Sequence, residues 1–295
     1  MTATRMLRDL LAKGGMIRAP GVYDGITAKL AEQAGFPALY MTGAGASMAR
    51  GLPDFGLLTL TEMAANASMI ARSVAVPVIA DADTGYGNEL NVTRTVMEYE
   101  RGGVAGLHIE DQVSPKRCGH LDGKEIVPRG EFAAKIRAAV AARSDPGFLI
   151  IGRTDARGVA GFDEAIARAN LALDAGADMA FVEAAASVAE VESIPRLVRG
   201  PCLLNIVVAG KTPDIGLGDA EAMGYRLAIM PSMLLNAVMN ACDAALAQVR
   251  DTDRPVSSVG QRPVAARFQR FGADHWNALR TKFRDEEQPA PVSGA

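Results

Sequence analysis

Short runs rich in β-branched and other apolar residues recur along the chain at 16–22, 38–42, 77–83, 106–111, 148–153, 179–183, 202–207 and 226–230. Between them lie Ala-rich stretches with apolar positions at helical spacing, among them 89–101, 129–142, 163–175 and 188–198. Several of these end in a small-residue cluster, Ala34-Gly35, Gly102-Gly103 and Ala175-Gly176-Ala177, where glycine supplies the backbone conformation that stops a helix. Strands that alternate with helices imply βαβ units and a parallel sheet. Eight such units in about 240 residues predict an α/β fold of the (β/α)8 TIM-barrel type, whose usual size is ~250 residues. A doubly wound open sheet is the alternative. It more often carries a Gly-rich phosphate loop after its first strand, and Ala19-Pro20-Gly21-Val22 is no such loop. The barrel is expected over 1–250, followed by a partly helical C-terminal extension over 251–295. In it, 251–263 reads as a polar connector, 265–283 as one amphipathic helix whose stripe of Phe268, Phe271, Trp276, Leu279 and Phe283 packs as core, on another part of the barrel or on a neighbouring subunit, and 286–295 as a frayed end.

Composition narrows the classes. The 295 residues carry 31 basic and 34 acidic side chains, a net charge of −3, which is not the footprint of a nucleic-acid binder. Hydrophobic residues at 49% and charged residues at 22% supply a large core and exclude global disorder. The first eleven residues carry Arg5, Arg8 and Asp9 and lack the apolar run of a signal peptide. The apolar stretch 227–242 is broken by Pro231, Ser232, Asn236 and Asn240 and is too short and polar to span a bilayer. Three cysteines without a CxxC pair point to free thiols in a reducing cytoplasm, with no membrane partner.

Barrel enzymes gather their chemistry at the C-terminal ends of the strands. Those ends here carry Tyr40 and Thr42, Asp81 and Asp83, His108, Glu110 and Asp111, Arg153 and Asp155, Glu183, and Asn205. Asp81 and Asp83 stand two apart on a strand and so face one side, with Glu110 on the next strand. Clustered carboxylates are costly unless a cation neutralises them, and oxygen ligands without a His/Cys set favour Mg²⁺ or Mn²⁺. Each aspartate alone reads equally as a cap of the following helix.

The segment 112–128 is longer than an ordinary βα connection and carries Ser114-Pro115-Lys116-Arg117-Cys118-Gly119-His120. A cysteine among Lys116, Arg117 and His120 is expected to have a lowered pKa and a reactive thiol; the alternative is a solvated charge run. Cys202 and Cys242, in apolar runs, read as inert core thiols. Arg153 is placed to grip a substrate carboxylate or to pair with Asp155 or Glu183. The turn Thr42-Gly43-Ala44-Gly45-Ala46 offers backbone N–H groups to an anion or is an ordinary βα turn. His108 reads as orienting a ligand, and His275 as a surface residue.

Taken together, Pro20-Gly21-Val22-Tyr23-Asp24, Tyr40-Met41-Thr42-Gly43, Gly51-Leu52-Pro53-Asp54, Asp81-Ala82-Asp83-Thr84-Gly85-Tyr86-Gly87, His108-Ile109-Glu110-Asp111-Gln112, Lys116-Arg117-Cys118-Gly119-His120, Gly152-Arg153-Thr154-Asp155-Ala156 and Phe181-Val182-Glu183-Ala184 resemble the isocitrate lyase/phosphoenolpyruvate mutase superfamily over 7–249. The resemblance implies a Mg²⁺ enzyme (with Mn²⁺ as the other candidate ion) acting on small α-oxo or α-hydroxy carboxylates. Asp83 would bind the metal, with Asp81, Glu110 and Asp54 in its water shell. Tyr40, Thr42, Gly43 and Ala44 would hold the oxo-acid end, and Arg153 would bridge substrate and site.

The Lys-Arg-Cys-Gly-His motif marks the carbon–carbon lyase branch, in which Cys118 protonates the enolate. His120 would assist it, and Lys116, Arg117, Gly119, Glu183 and Asn205 would contact substrate. The same resemblance implies a homotetramer with a swapped C-terminal barrel helix. Two departures bear on substrate: Thr42 stands where many relatives have serine, and Val207-Val208 stands where methylisocitrate lyases have Thr and Glu. The apolar pair implies a smaller or more apolar substrate tail, as in 2,3-dimethylmalate lyases. Oxaloacetate-type hydrolysis, phosphoenolpyruvate or carboxyphosphonoenolpyruvate mutase chemistry, and a non-catalytic dicarboxylate-binding barrel are the competing expectations.

Overall fold

The computed structural model describes residues 1–254 and 263–284. The order of elements is α1 (Ala3–Ala12), β1 (Ile17–Val22), α2 (Gly25–Gln33), β2 (Leu39–Met41), α3 (Gly43–Met48), α4 (Leu60–Ser73), β3 (Val78–Asp81), α5 (Glu89–Arg101), β4 (Gly106–Glu110) and α6 (Arg129–Ala142). The chain continues through β5 (Leu149–Thr154), α7 (Arg157–Ala160), α8 (Phe162–Asp174), β6 (Met179–Val182), α9 (Val188–Leu197), β7 (Cys202–Asn205), α10 (Leu217–Met223), β8 (Leu227–Met230), α11 (Met233–Thr252), α12 (Val264–Gln269) and α13 (Ala273–Lys282). All eight strands are parallel and close into a barrel in sequence order, with β1 hydrogen-bonded to β8. The expected TIM barrel is what the chain forms.

The strands are almost wholly buried because both faces are covered, as a parallel sheet requires. Their outward side chains, such as Val78, Ala80, Leu107, Ile109 and Ile150, pack with helix residues Val92, Val96, Phe132 and Ile136. Their inward side chains, Ile17, Ala19, Ile79, Leu149, Ile151, Met179, Phe181, Leu203, Leu227 and Ile229, form a second cluster, joined by Leu7 of α1. The helices begin where the sequence supplies caps. Asp24 and Thr27 form a capping box on α2, as do Thr59 and Glu62 on α4, and Asn88 with Asn91 on α5. The cap on α5 is Asn88, so neither Asp81 nor Asp83 is committed to that task.

Three expectations are corrected. The strand expected over 77–83 ends at Asp81, and Asp83 follows in a left-handed turn with φ 45°. The single helix expected over 265–283 is two, α12 and α13, separated at Gly272, whose φ of 85° breaks the helical backbone. The core reading of the aromatic stripe is the part corrected, since Phe268, Phe271, Trp276 and Phe283 are exposed in the single chain; packing on a neighbouring subunit is a separate expectation. The contacts divide the chain into Met1–Asn240 and Ala241–Ala295, a division that falls within α11. The connector expected at 251–263 lies mostly outside the described residues, and the frayed end at 286–295 lies wholly outside them.

Candidate active site

The inward row that is apolar low in the barrel turns polar at its C-terminal end. Tyr40, Asp81, His108, Glu110, Arg153, Glu183 and Asn205 come from six strands or the residue after them, and all are buried. Arg153 is the hub. Its Nε donates to Asp155 Oδ2 at 3.0 Å, Nη1 lies 3.2 Å from Glu110 Oε2, and Nη2 lies 3.2 Å from Glu183 Oε2. The guanidinium also sits 5.1 Å above the Phe181 ring. Of the two readings of Arg153 in the sequence, the ion pairs to Asp155 and Glu183 are both formed. Burial disfavours charge on Asp155, but Arg153 and Lys124 outweigh it and hold the carboxyl at about 2. Burial raises Glu110 well above the usual carboxylate range, against the opposing pull of Arg153 and Lys116. Neither Glu110 oxygen receives a hydrogen bond from the described residues.

A second cluster lies beside the hub. Asp81 Oδ1 accepts from the Asp83 N–H at 2.9 Å, and Oδ2 accepts from the Gly43 N–H at 3.2 Å and the Tyr40 hydroxyl at 3.3 Å. The N–H at Gly43, read from sequence as an anion cradle, is therefore spent on Asp81. The Tyr40 hydroxyl is also 2.8 Å from His108 Nε2. Burial pulls His108 down to about 4, so the imidazole is neutral near pH 7. Burial works against the charge on Asp81, yet His108, Lys116 and Arg153 hold its carboxyl below the usual range. Asp83 goes the other way, to about 6: burial raises it, Lys116 opposes, and Asp81 and Asp54 add to the rise. Lys116 bridges Asp54 at 2.5 Å and Asp83 Oδ1 at 3.0 Å from a position that is itself buried.

The loop between β4 and α6 folds over these groups as a narrow antiparallel excursion. Gln112 pairs with Ile126, the Val113 N–H donates to Glu125 O at 2.9 Å, and Gln112 holds the Arg117 backbone from both sides. Gly119 lies so close to the hub that a Cβ there would stand 2.5 Å from both Arg153 Nη2 and Glu183 Cγ. His120 Nδ1 accepts the Lys211 N–H at 2.9 Å, which leaves the proton on Nε2, 3.4 Å from Glu183 Oε1. Glu183 also accepts from Asn205 Nδ2 at 3.0 Å, while Asn205 Oδ1 has no hydrogen-bond partner among the described residues.

The expectation of a depressed Cys118 pKa is wrong. Burial raises the thiol against the His120 backbone N–H, which lowers it; Asp54 and Glu183 raise it further, and Arg153 is the opposing cation. Lys116 has turned to its two aspartates, and Arg117 is exposed with its guanidinium 5.7 Å from the Phe55 ring. Cys202 is the buried thiol expected, raised to about 12 by burial, whereas Cys242 is exposed and not a core residue.

A cavity of about 200 Å³ opens between the loop and the strand ends. Of the residues singled out in the sequence, Tyr40, Thr42, Ala44, Asp54, Asp81, Cys118, Gly119, His120, Arg153, Glu183 and Asn205 line it. Gly43, Lys116, Asp83 and Glu110 stand behind that lining, and Arg117 faces away. Val207 lines the cavity and Val208 is 73% exposed, so only the first of that pair faces a ligand. Sequence reasoning missed the apolar wall made by Met48, Pro231, Leu235 and Met239, with Ser232 and Asn236 among them. The polar Asn236 inside an apolar run just after the last strand was the available signal.

Among the described residues, no three His, Cys, Asp or Glu side chains form a cage for an ion. The trio Asp81, Asp83 and Glu110 is thus not a self-sufficient metal site, since Asp81 is satisfied by N–H and hydroxyl donors and Glu110 faces Arg153. The residues do fit an ion held sparingly. Asp83 offers a carboxylate beside the Lys116 ammonium, and Glu110 offers two oxygens that receive no hydrogen bond from the described residues, one of them ion-paired with Arg153. Mg²⁺ characteristically takes one or two protein carboxylates and fills the rest with water and substrate.

A family model described as phosphoenolpyruvate phosphomutase matches residues 7–250. The chain belongs to the isocitrate lyase/phosphoenolpyruvate mutase superfamily. Its similarity to 2,3-dimethylmalate lyase of Eubacterium barkeri is 48% identity over 79% of this chain and 81% of that protein. Its similarity to 2-methylisocitrate lyase of Aeropyrum pernix is 46% identity over 83% of this chain and 79% of that one. Among solved structures, oxaloacetate acetylhydrolase in complex with 3,3-difluorooxalacetate superposes with a TM-score of 0.92 at 39% identity, covering 96% of this chain and 97% of that one. Members of the superfamily with lyase and hydrolase names thus share this barrel. Among the described residues of the present member, no helix is long and apolar enough to cross a membrane.

Proposed function

We propose that this protein is a Mg²⁺-dependent carbon–carbon lyase that splits a 2-hydroxy di- or tricarboxylate, of the 2,3-dimethylmalate or 2-methylisocitrate type, into an α-oxo acid and a carboxylate. The observation that carries the reading is the Cys118 thiol, which lines the cavity and is kept protonated by burial and by Asp54 and Glu183. A raised thiol is poorly suited to nucleophilic attack and well suited to giving up a proton to a stronger base. Retro-aldol cleavage leaves an enolate of a carboxylate, a strong base of that kind. In this reading the C2 hydroxyl gives its proton to the Tyr40–His108 pair and becomes the carbonyl of the oxo acid, the C2–C3 bond breaks with its electron pair going to the enolate, and C3 takes the Cys118 proton.

The buried cation of Arg153 faces the developing negative charge without needing to reorganise. Tyr40, poised between Asp81 and His108, holds the oxo-acid end, and Asn205 Oδ1, without a partner among the described residues, accepts from a substrate hydroxyl. Asp83, with Glu110 behind it, would hold Mg²⁺, or Mn²⁺ in its place. The ion when bound supplies Lewis-acid stabilisation to the oxygen from which the cleavage electrons come. The apolar wall of Met48, Val207, Leu235 and Met239 favours a substrate tail bearing methyl groups. The exposed apolar residues of α11 to α13 support burial against a second copy of the chain; a homotetramer with a swapped helix, in the cytoplasm, is the form that the family resemblance adds to this reading.

The test is release of pyruvate or glyoxylate from 2,3-dimethylmalate, 2-methylisocitrate and isocitrate, with Mg²⁺ and with chelator, for the wild type and Cys118→Ser. Metal-dependent cleavage of one acid, reduced by ~10² or more in the variant, is the expected result. Turnover of oxaloacetate alone would sink the lyase reading in favour of hydrolysis. Tight binding of these acids without turnover would leave a dicarboxylate-binding barrel.

A further inference from the structure

Lys124 lies on the returning arm of the loop between β4 and α6, next to Glu125, whose carbonyl accepts from Val113. Its side chain is 2% exposed, a rare condition for a lysine, and its ammonium has two partners. It donates to the Gly119 carbonyl at 2.5 Å and to Asp155 Oδ1 at 2.8 Å. Gly119 directly follows Cys118, and Asp155 is the carboxylate that receives Arg153 Nε. The Asp155 end of this link is anchored. The Asp155 N–H donates to Asp111 Oδ1 at 2.8 Å, and Asp111 Oδ2 accepts from Thr154 Oγ1 at 2.6 Å and Arg168 Nη1 at 3.1 Å. One buried ammonium therefore joins the peptide beside the thiol to the carboxylate that aims the guanidinium.

We propose that Lys124 is a positioning residue that fixes the Cys118 thiol in register with Arg153. It takes from the proposed function only the role of the Cys118 loop. Removing the ammonium leaves the Gly119 carbonyl without its donor. Asp155 is then left to Arg153 alone, and Arg153 must also serve Glu110 and Glu183. The loop then loses its tie to β5 at the residue next to the thiol, and the guanidinium is drawn toward Asp155.

The test uses full-length Lys124→Met and Lys124→Arg. Alkylation of Cys118 by iodoacetamide, without substrate, is followed by peptide mass spectrometry with buried Cys202 as the unreactive reference. Loss of two charge-assisted hydrogen bonds is expected to speed alkylation of Cys118 in Lys124→Met by about tenfold or more, with Lys124→Arg closer to the wild type. In turnover, kcat is expected to fall by about 10² with KM changed far less, because the thiol acts after binding. A Lys124→Met protein that is folded and melts lower, yet keeps the wild-type alkylation rate and kcat, would show a merely structural ion pair and overturn the proposal. Should Lys124→Met fail to fold, Asp155→Asn replaces it in the alkylation assay, and an unchanged Cys118 rate there overturns the proposal equally. The alkylation arm needs no turnover, so absence of lyase activity in the wild type would defeat the functional reading without deciding the role of Lys124.

Discussion

On β5, Leu149 and Ile151 pack inside the barrel with Met179, Phe181 and Leu227, whereas Arg153, two residues further, meets Glu110, Asp155 and Glu183. Ile79 and Asp81 on β3 repeat the contrast, as do Leu203 and Asn205 on β7. The lower interior is held by removal of apolar surface from water, an undirected effect that tolerates exchange of one aliphatic for another. The upper interior buries charges, whose desolvation is offset only by particular partners at particular distances. One region makes the barrel, and the other uses its rigidity.

The hardest blow to this contrast is Arg153→Met. Breaking a buried ion pair from one side costs about 3–5 kcal/mol, so a marked drop in melting temperature is expected together with a loss of turnover of ~10³ or more. A variant as active as the wild type would show that the upper charges are only scaffolding. Next in size is Ile151→Ala, expected to cost about 3–4 kcal/mol in denaturant unfolding while kcat below the transition stays within about twofold. A large fall in kcat there would mean that the two regions are not separable.

The finest cut is Asp83→Asn, followed as melting temperature against pH in chelator. A carboxyl raised to about 6 in the fold and near 3.8 when unfolded favours the folded state below 3.8 and loses that contribution as pH rises through 6. The wild type should therefore gain about 2–3 kcal/mol from this group between pH 7.5 and pH 4, a gain that Asp83→Asn lacks. Parallel pH profiles for the two proteins would place Asp83 outside the strained charge cluster.

Much of the lower region was legible in the sequence because it obeys a period. Runs of buried strand residues alternate with helical spacing, and their boundaries fall within two residues of every one of the eight strands. The upper region was legible as a set of positions, since strand ends converge in any such barrel, but not as a set of contacts. Cys118 shows why. Lys116 and Arg117 flank it in sequence, yet one turns inward to Asp54 and Asp83 and the other stacks outside on Phe55, so burial rather than a flanking cation sets the thiol's pKa. In an irregular loop the side-chain direction follows no period. Lys124 was passed over for the same reason, and Cys242 was misplaced because an apolar run resembles a core helix whether or not it is covered.

The seam that closes the barrel joins Ile17 to Leu227 and Pro20 to Met230. On the ribosome, β1 emerges long before β8 exists to pair with it, and β1 must wait as an open sheet edge, the kind of surface on which nascent chains pair wrongly. A chain interrupted ahead of residue 227 keeps that edge for good. The last strand thus acts as the barrel's closing stitch, and synthesis through β8 separates a self-contained protein from an adhesive one.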